Sequence, residues 1–577
     1  MEFDTDKKFC SIIFDVMVKK GVREVVCSPG SRNTPLLIAA SARNELKKHF
    51  VLDERSASFT ALGLSLVSKC PVALVCTSGT ALLNYAPGIA EAYYQGIPLI
   101  VVSADRPLQW IDQDDSQTLH QNEALSNFVK KSYNLPAHGD SDPELQWFAE
   151  RITHEAMAIA LSGKPGPVHI NIHLEEPLGN KIEKTCGSDY FSDIIVSDII
   201  GNREIIRGLA DRFVNSKVLL IAGFMQPDAG LQKTVSSLAL FPNVVLMAET
   251  LSNLHLGEQD YSIDSTLTAF SSHELDNYLP DLVISLGGAI VSRKLKEFLR
   301  NGYIKGGRKY TQWNIGWNRT LVDCFKIGAL QIESDPSRFL RTLIGFSKKM
   351  KIKEDCLNFK KKWQIIRSEA GEVKSKFIKM APWSEIRAFD FILKNLPLSC
   401  NLFLSNGTPV RYAQIISHRL PHAEYCNRGV SGIDGSVSTA IGGARNYKGC
   451  TLLITGDLSL SYDIGALSQY DIPDRFKIIV IDNQGGGIFR FIPTTSSLEE
   501  REEYFCMPPN LPLKDLAAGY RFKYFEASDE NSLSNILPLF FREDKKSILR
   551  IICDGVISAD VLKTYMSTRI NKEQLKI

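Results

Sequence analysis

Thr455-Gly456-Asp457-Leu458 and, further along the chain, Ile481-Asp482-Asn483-Gln484-Gly485 are the two stretches that decide the fold. The apolar runs 451–455 and 477–481 that lead into them are typical of buried strands, and a helix-like segment lies between the runs. Parallel α/β sheets bind ligands at the carboxyl ends of their strands, so we expect Asp457 and Asn483 to lie side by side there. Their oxygens, with a backbone carbonyl, suit a hard cation that keeps a diphosphate in its shell. The alternative is an ordinary β-α-β turn with a capping aspartate.

Length and composition restrict the class of protein. A chain of 577 residues is too long for one core, and at about 100–200 residues per domain it predicts three or four domains. The net charge of +2 argues against a nucleic-acid or membrane-surface role. We find neither a signal peptide nor the roughly 20 apolar residues of a membrane span. Twelve cysteines without a C-x-x-C pair indicate neither a zinc site nor disulfides, so we expect a cytoplasmic protein.

Short β-branched runs alternate with helical patterns, which predicts parallel α/β sheets. The predicted strands are 22–27, 72–76, 99–103, 168–172, 218–221, 244–247, 282–285, 402–404, 452–454, 478–481 and 548–553. Two polar stretches interrupt the alternation: 175–198 is typical of a linker, and 346–382, with ten lysines, of a solvated helix. The predicted domains are therefore 1–180, 181–375 and 376–577.

A long-period repeat relates the outer two domains. Asp105 recurs as Asp482, 377 positions later, and Ala61-Leu62-Gly63 recurs as Ala440-Ile441-Gly442, 379 positions later. The repeated residues occupy similar places in the strand–helix pattern. We infer two related α/β domains on either side of a different middle one, and we expect one ligand to bind between related domains.

The spacing of Asp457 and Asn483 resembles the diphosphate-binding signature of thiamine-diphosphate (ThDP) enzymes, in which Gly-Asp precedes a helix and Asn follows it. Leu458 stands where many of these enzymes carry a second glycine. The resemblance implies Mg²⁺ or Mn²⁺ bound by Asp457, Asn483 and Gly485. ThDP also needs a carboxyl group on its aminopyrimidine ring to promote loss of the thiazolium proton, and Glu54 at the start of a small-residue helix fits that need. The alternative is that Asp53 and Glu54 only stabilise the helix start.

Further motifs occur in order along the first and third domains. They are 27–36 (CSPGSRNTPL), 53–55 (DER), 77–81 (TSGTA), 104–107 (ADRP), 427–435 (NRGVSGIDG), 456–459 (GDLS) and 485–489 (GGGIF). Together they resemble the 2-succinyl-5-enolpyruvyl-6-hydroxy-3-cyclohexene-1-carboxylate (SEPHCHC) synthases of menaquinone biosynthesis, and the middle domain resembles them only thinly. The resemblance implies a pyrimidine-binding (PYR) domain, a central domain and a diphosphate-binding (PP) domain, each with a doubly wound parallel sheet.

The resemblance also implies an activity: decarboxylation of 2-oxoglutarate on ThDP and addition of the succinyl unit to isochorismate. Both substrates are dicarboxylates, which arginine binds bidentately. By the resemblance, Arg32, Arg106 and Ser31 bind isochorismate, Gln117 lies near the reacting carbon, Arg411 faces the succinyl carboxylate and Arg428 lies between the substrates. Arg32, Glu54 and Gln117 are the predicted catalytic residues. Surface arginines are the alternative.

Three assignments depart from the family pattern. Arg293 and Lys294 resemble a basic pair for the acceptor carboxylate but in reversed order, and Lys296 continues a pattern typical of a solvated helix. Gly407 stands where related enzymes can place a serine that touches the succinyl carboxylate, so Asn406 or Thr408 is expected to make that substrate contact instead. Ser116 stands where the family often has asparagine.

The remaining predicted cofactor contacts follow from the same motifs. They are Thr77, Gly79, Ser431, Ile433, Gly456, Leu458, Ser459, Gly486, Gly487, Ile488 and Phe489. Ile433 is expected to hold the cofactor bent, with a core isoleucine as the alternative. Ile488 and Phe489 are expected to surround the thiazolium ring with apolar groups.

Two other functions fit parts of the sequence: another ThDP-dependent decarboxylase or an acetolactate-synthase-like carboligase, and a non-catalytic nucleotide-binding protein that uses Gly485-Gly486-Gly487 as a phosphate loop. The middle domain lacks a G-x-G-x-x-G fingerprint for a flavin, and the second alternative leaves Glu54 unexplained. The family precedent is a homodimer or homotetramer whose active site lies at the subunit interface.

Overall fold

The computed structural model describes residues 3–184, 190–194, 203–255, 262–305, 310–318, 320–416 and 423–569. Within these residues the chain forms three parallel sheets in succession, with helices between the strands. The three-domain α/β fold predicted from the sequence is confirmed.

The first sheet lies in the PYR region. Its segment contains strands β1 Phe3–Thr5, β2 Glu24–Cys27, β3 Lys47–Phe50, β4 Val72–Cys76, β5 Leu99–Asp105, β6 Ser132–Leu135, β7 Val168–His173 and β8 Lys181–Glu183. The helices are α1 Lys8–Lys19, α2 Thr34–Ser41, α3 Glu54–Ser68, α4 Thr80–Asn84, α5 Ala86–Gln95 and α6 Pro143–Leu161. The parallel order is β3-β2-β4-β5-β7-β6, and β1 pairs with β8 in a separate antiparallel ribbon.

The middle sheet is smaller. Its strands are β9 Val218–Ala222, β10 Val244–Ala248, β11 Leu282–Leu286, β12 Thr311–Ile315 and β13 Ala329–Ile332, in the order β10-β9-β11-β12-β13. The helices are α7 Arg203–Val214, α8 Ala229–Leu238, α9 Ile263–Ala269, α10 Ser272–Leu275, α11 Arg293–Lys305, α12 Pro336–Ser347 and α13 Phe359–Met380.

The third sheet lies in the PP region. Its strands are β14 Cys400–Leu404, β15 Glu424–Tyr425, β16 Cys450–Gly456, β17 Phe476–Asp482, β18 Lys523–Ala527 and β19 Ser547–Ile552. The helices are α14 Glu385–Lys394, α15 Pro409–Ile416, α16 Ser436–Arg445, α17 Asp457–Tyr462, α18 Leu513–Gly519, α19 Glu530–Arg542 and α20 Gly555–Ser567. The parallel order is β15-β14-β16-β17-β19-β18.

The outer sheets share one topology. If the six parallel strands of each are numbered along the chain, both read 2-1-3-4-6-5 across the sheet. Asp105 ends the fourth strand of one sheet and Asp482 ends the fourth strand of the other. The repeat inferred from the sequence therefore corresponds to a repeated strand order.

The predicted boundaries at 180 and 375 fall close to elements that cross them. Strand β8 lies just beyond 180 and pairs with β1, so the PYR region holds both partners of that ribbon. Helix α13 runs through 375: Trp363 packs in the middle core and Ile378 packs in the third core. Because α13 buries these side chains, it is not the solvated helix that its lysines indicate. The boundaries themselves stay predictions.

Helices α3 and α16 join the two outer regions by an unusually close crossing. A methyl group on Gly63 would lie 1.9 Å from the carbonyl oxygen of Thr439, and one on Gly442 would lie 2.1 Å from that of Thr60. Only glycine permits backbones to approach this closely. The repeated Ala-Leu-Gly and Ala-Ile-Gly segments thus pack against each other.

A buried ionic network reinforces this contact. His49 on β3 lies between two carboxylates, with Nε2 2.9 Å from Glu24 and Nδ1 3.2 Å from Asp471. Asp471 also pairs with Arg445 at the end of α16. The imidazole of His49 thereby links a carboxylate of the first region to a carboxylate of the third beside the helix crossing.

Within the described residues, no helix is both long and apolar enough to cross a membrane.

Replacing Gly442 with alanine should destabilise the α3–α16 crossing, because the added methyl group overlaps the Thr60 backbone. We expect a loss of about 1–3 kcal/mol or more, seen as a lower Tm. Gly208→Ala is the matched control: it lies in α7 with no atom within 4 Å of its added methyl group. Equal Tm values for the two variants would contradict the crossing.

Candidate active site

Asp457 and Asn483 lie side by side at the carboxyl end of the third sheet, as the sequence predicts. Strands β16 and β17 are hydrogen-bonded neighbours, and each delivers one of the two residues immediately after its last residue. The Asp457 carboxylate accepts hydrogen bonds from the backbone N–H groups of Gly485, at 2.7 Å, and Leu458, at 2.8 Å. Both strand ends are thereby fixed relative to each other.

Asn483 presents a free acceptor at this point. Its Nδ2 donates to Glu385 Oε1 at 2.8 Å, while its buried Oδ1 has no hydrogen-bond partner among the described residues. A buried acceptor without a partner is costly, and a bound cation would satisfy it. Sequence reasoning missed Glu385, because an acidic residue at the start of a helix has no motif that separates it from an ordinary first-turn carboxylate.

The Asp457 carboxyl is buried with other acids nearby. Burial raises the pKa of Asp457 to about 7, the two backbone N–H groups lower it, and the charges of Asp482 and Glu385 raise it further. A cation bound here would hold Asp457 in its ionised form. The donor set therefore fits a divalent metal with a diphosphate.

The loop after Asn483 needs its glycine and is clamped by an arginine. Gly485 has φ +108°, and a methyl group on it would lie 2.0 Å from the Cys506 carbonyl oxygen. Arg490 donates to the backbone carbonyls of Asn483, at 2.9 Å, and Gln484, at 3.0 Å, and pairs with Glu502. The loop continues through the predicted contacts Gly486, Gly487, Ile488 and Phe489.

A second loop of the third sheet, residues 427–433, carries Arg428, Ser431 and Ile433. Asn406 ties this loop together: its Nδ2 donates to the carbonyls of Asn427 and Gly432, and its Oδ1 accepts from Arg428 Nη1 at 3.0 Å. The amide of Asn406 is thus engaged in holding the loop. Ser459 Oγ donates to the Ile433 carbonyl at 3.1 Å, which connects the loop to α17.

Glu54 and its neighbours form the corresponding end of the first sheet. Glu54 is the first residue of α3, directly after the N-cap Asp53, and is half-buried. Glu54 lies close enough to β4 to affect Cys76. The pKa of the Cys76 thiol is raised mainly by burial and secondly by the charge of Glu54. The buried Oγ1 of Thr77 and Oγ of Ser78 have no partner among the described residues. Polar groups are again left for a ligand.

Gln121 is a structural residue of this end that sequence reasoning missed. It is fully buried, its Oε1 accepts from Gly79 N–H at 2.7 Å, and its Nε2 donates to Ala104 O and Asn171 Oδ1. Gly79 has φ +83° and Gln117 has φ +56°, so both turn the chain sharply. Gln121 lies in an irregular segment, and its burial, which would have identified it, is visible only in the tertiary structure.

Arg32 and Arg106 lie together. Burial first, and then the charge of Arg106, lowers the pKa of the Arg32 guanidinium. Arg32 Nη1 donates to Leu174 O at 2.9 Å, and Arg106 pairs with Asp115 at 2.9 Å and donates to Ser116 Oγ at 3.3 Å. The Nε atoms of both arginines are buried without a partner.

A second basic cluster lies between the middle and third sheets. Burial and then the charge of Arg428 lower the pKa of Arg411 to about 10. Lys294 lies near the same group of charges. Burial raises the pKa of Asp264, while the charges of Lys294 and Arg411 both lower it. Arg293 instead pairs with Glu297 at 2.7 Å, with 69% of its side chain exposed.

Lys296 differs from its predicted solvated position. It is half-buried and its Nζ donates to Ile290 O at 2.7 Å, because the chain folds over it before α11. Burial lowers its pKa, and the charge of Arg428 lowers it as well.

The predicted residues thus form two sets. The first set lies at the carboxyl end of the first sheet, with exposed Ser31 nearby. Its members are Arg32, Glu54, Thr77, Gly79, Arg106 and Gln117. Asp457, Asn483, Arg411 and Arg428 lie at the end of the third. Among the described residues, no hydrogen bond or ion pair joins members of one set to members of the other. Within the same part of the chain, no group of three His, Cys, Asp or Glu side chains suits a metal on its own.

Known proteins resemble this chain over nearly its whole length. Residues 7–125 match the family described as thiamine pyrophosphate enzyme, N-terminal TPP binding domain. The SEPHCHC synthase of Porphyromonas gingivalis is 38% identical, covering 98% of this chain and 97% of that protein, and the one of Flavobacterium psychrophilum is 36% identical, covering 96% and 97%. The benzoylformate decarboxylase structure from Polynucleobacter necessarius has TM-score 0.69 and 17% identity, covering 95% of this chain and 98% of that one, and shares the fold.

The chain folds into three parallel sheets, and the ends of the outer two carry buried polar atoms that lack partners in the described part of the chain. Together with the family match, this defines a thiamine-diphosphate-dependent enzyme. Among such enzymes, the chain belongs to the SEPHCHC synthase family. The family and the α/β fold inferred from the sequence are confirmed.

Proposed function

We propose that this chain decarboxylates 2-oxoglutarate and adds the succinyl unit to isochorismate, giving SEPHCHC and CO₂ in menaquinone biosynthesis. One observation carries the proposal: guanidinium groups lie in like-charged pairs, Arg32 with Arg106 and Arg411 with Arg428. The charge of Arg106 lowers the pKa of Arg32, and the charge of Arg428 lowers the pKa of Arg411. Such packing costs free energy, which bound anions offset. Glu176 and Asp115 already pair with Arg32 and Arg106, and substrate carboxylates would add to them. Two dicarboxylate substrates supply the anions.

The cofactor proposal follows from the donor sets. Asp457, the free Oδ1 of Asn483 and the Gly485 carbonyl would hold Mg²⁺ or Mn²⁺, and the remaining predicted cofactor residues would hold ThDP. When bound, ThDP would supply a nucleophilic carbon for the 2-oxo group and a cationic ring able to take up the electron pair left by departing CO₂. Asp457 would contribute a negatively charged oxygen to the metal ion that also binds the diphosphate.

The residues of the chain have separate tasks. Glu54 holds a proton at its carboxyl oxygen toward the aminopyrimidine nitrogen. Arg411 faces the succinyl carboxylate of 2-oxoglutarate. Arg428, which the family resemblance places between the substrates, is assigned to 2-oxoglutarate as well, because its charge acts on Arg411. Arg32 and Arg106 bind the carboxylates of isochorismate, with Gln117 near its reacting carbon. Ile488 and Phe489 exclude water from the reacting atoms. Arg293 and Lys294 are assigned to the acceptor carboxylate, with Lys294 the better placed of the two.

We further propose that the active enzyme is a homodimer or a pair of dimers. The Glu54 set and the Asp457 set of one chain share no hydrogen bond or ion pair among the described residues. A partner subunit would bring its own PP end against Glu54. Each active centre would then combine the first sheet of one chain with the third sheet of the other.

Glu54→Gln should reduce kcat by about 10²-fold or more, because the amide cannot exchange the proton that the cofactor chemistry requires. The measurement is ThDP-dependent consumption of isochorismate in the presence of 2-oxoglutarate. Glu45→Gln, which alters an exposed glutamate of the same region, is the control. Wild-type protein without this activity would overturn the proposed function, and a fully active Glu54→Gln would overturn the role of Glu54.

Arg32→Ala should raise KM for isochorismate about tenfold or more, because a charged hydrogen bond to a carboxylate is lost, and it should leave KM for 2-oxoglutarate within about threefold. Arg411→Ala should give the opposite pattern. Steady-state kinetics with each substrate varied in turn measures both. Equal loss for both substrates in either variant would contradict the division of the arginines.

Glu385→Ala should weaken metal binding about tenfold or more, because the Asn483 amide loses the acceptor that fixes its orientation. Glu385→Gln keeps an acceptor oxygen and should be affected less. Titration of the ThDP-containing protein with Mn²⁺, followed by electron paramagnetic resonance, measures the affinity directly. Wild-type affinity in Glu385→Ala would show that Asn483 needs no such support.

A further inference from the structure

Glu91 is a buried carboxylate of the first region whose hydrogen bonds go to the third. It lies on α5, is only 1% exposed, and accepts from the backbone N–H groups of Gly429 and Val430, each at 2.6 Å, one on each carboxylate oxygen. Gln95, one turn later on α5, donates to Glu91 Oε1 and to the Cys426 carbonyl. Two side chains of α5 thus hold one short loop segment of the other region.

The approach of α5 to this loop is close. A methyl group on Gly429 would lie 2.7 Å from the Glu91 carbonyl oxygen and 2.9 Å from its Oε1. Burial raises the pKa of Glu91, while the hydrogen bonds from Gln95 and from the loop backbone lower it. A charge buried at such cost is tolerated when it is fully hydrogen-bonded, and here its partners are loop amides.

The loop held by Glu91 carries the groups that matter for substrate. Arg428 directly precedes Gly429, and its guanidinium reaches Asn406 and lowers the pKa of Arg411. Ser431, two residues beyond Gly429, has φ +71°, a conformation that L-residues rarely adopt and that needs support from neighbours. Asn406 supports the loop from within the third region, and Glu91 supports it from outside.

We propose that Glu91 is a positioning residue for 2-oxoglutarate: its carboxylate fixes residues 428–431 from the PYR region, and so sets where the Arg428 guanidinium binds. This inference rests on the proposed function for the identity of the substrate, but the loop contact itself does not. Because Glu91 is only 1% exposed and its carboxylate is engaged by the loop and Gln95, it would act through the loop and not by contact with substrate or cofactor.

The first test is hydrogen–deuterium exchange on the protein without ThDP or substrates. In wild-type protein the backbone amides of Gly429 and Val430 should exchange slowly. In Glu91→Gln they should exchange about tenfold faster or more, because the glutamine side chain replaces one of the two acceptor oxygens with an N–H₂ group that faces a backbone donor. Glu45→Gln should leave the exchange unchanged. Rapid exchange in wild-type protein, or no acceleration in Glu91→Gln, would overturn the proposal whatever the enzyme does.

The second test separates positioning from general damage by kinetics. Glu91→Gln should raise KM for 2-oxoglutarate about tenfold, with KM for isochorismate within about threefold and Tm close to that of wild type. Glu91→Asp keeps the carboxylate but retracts it by one methylene, so its KM for 2-oxoglutarate should lie between those of Glu91→Gln and wild type. If Glu91→Gln does not fold, Glu91→Asp alone serves as the test. An equal rise in both KM values, or no rise, would overturn the role. A wild-type enzyme without SEPHCHC synthase activity would remove the substrate assignment and leave the exchange result to decide the loop contact.

Discussion

The close crossing of α3 and α16 is the constraint on which the rest of the structure depends. Gly63 and Gly442 let the two backbones meet at a distance that any side chain would prevent. Each helix is packed on the sheet whose strand ends carry functional groups: α3 begins at Glu54, and α16 follows the loop that ends near Ile433. By fixing one helix on the other, the crossing fixes the relative orientation of both ligand-binding ends. The His49 network and the Glu91 contact reinforce the same arrangement.

Each binding end includes buried polar atoms that have no hydrogen-bond partner among the described residues. The Oδ1 atom of Asn483, the hydroxyls of Thr77 and Ser78, and the Nε atoms of Arg32, Arg106 and Arg428 are buried without hydrogen bonds among the described residues. Like charges add to this cost where Arg411 lies beside Arg428. A folded protein tolerates such groups where a ligand satisfies them. In a member of the SEPHCHC synthase family, a cofactor diphosphate and two dicarboxylates are the ligands that match.

The sequence predicted the interior strands of the two outer sheets because continuous apolar runs are a local signal, but it missed β12 (Thr311–Ile315), an interior strand of the middle sheet that carries polar residues. Edge strands such as β3 (Lys47–Phe50) and β18 (Lys523–Ala527) were missed, since half-exposed edges carry lysines instead of continuous apolar runs. Glu385, Gln121 and Glu91 were missed for another reason: each acts through a partner distant in the chain, and no spacing rule encodes such a pair. Lys296 was misjudged because helical periodicity does not show that another segment covers it.

The central claim is that the Glu54 and Asp457 ends of one chain serve two different active centres. Co-expression of Glu54→Gln chains with Asp457→Asn chains tests it directly, because each parent alone has no intact centre. If centres form between subunits, half of the dimers are mixed and each has one intact centre, so the mixture should recover about a quarter of wild-type SEPHCHC synthase activity. Activity that stays at the level of the two parent variants would contradict the claim and assign both ends to a centre within one chain.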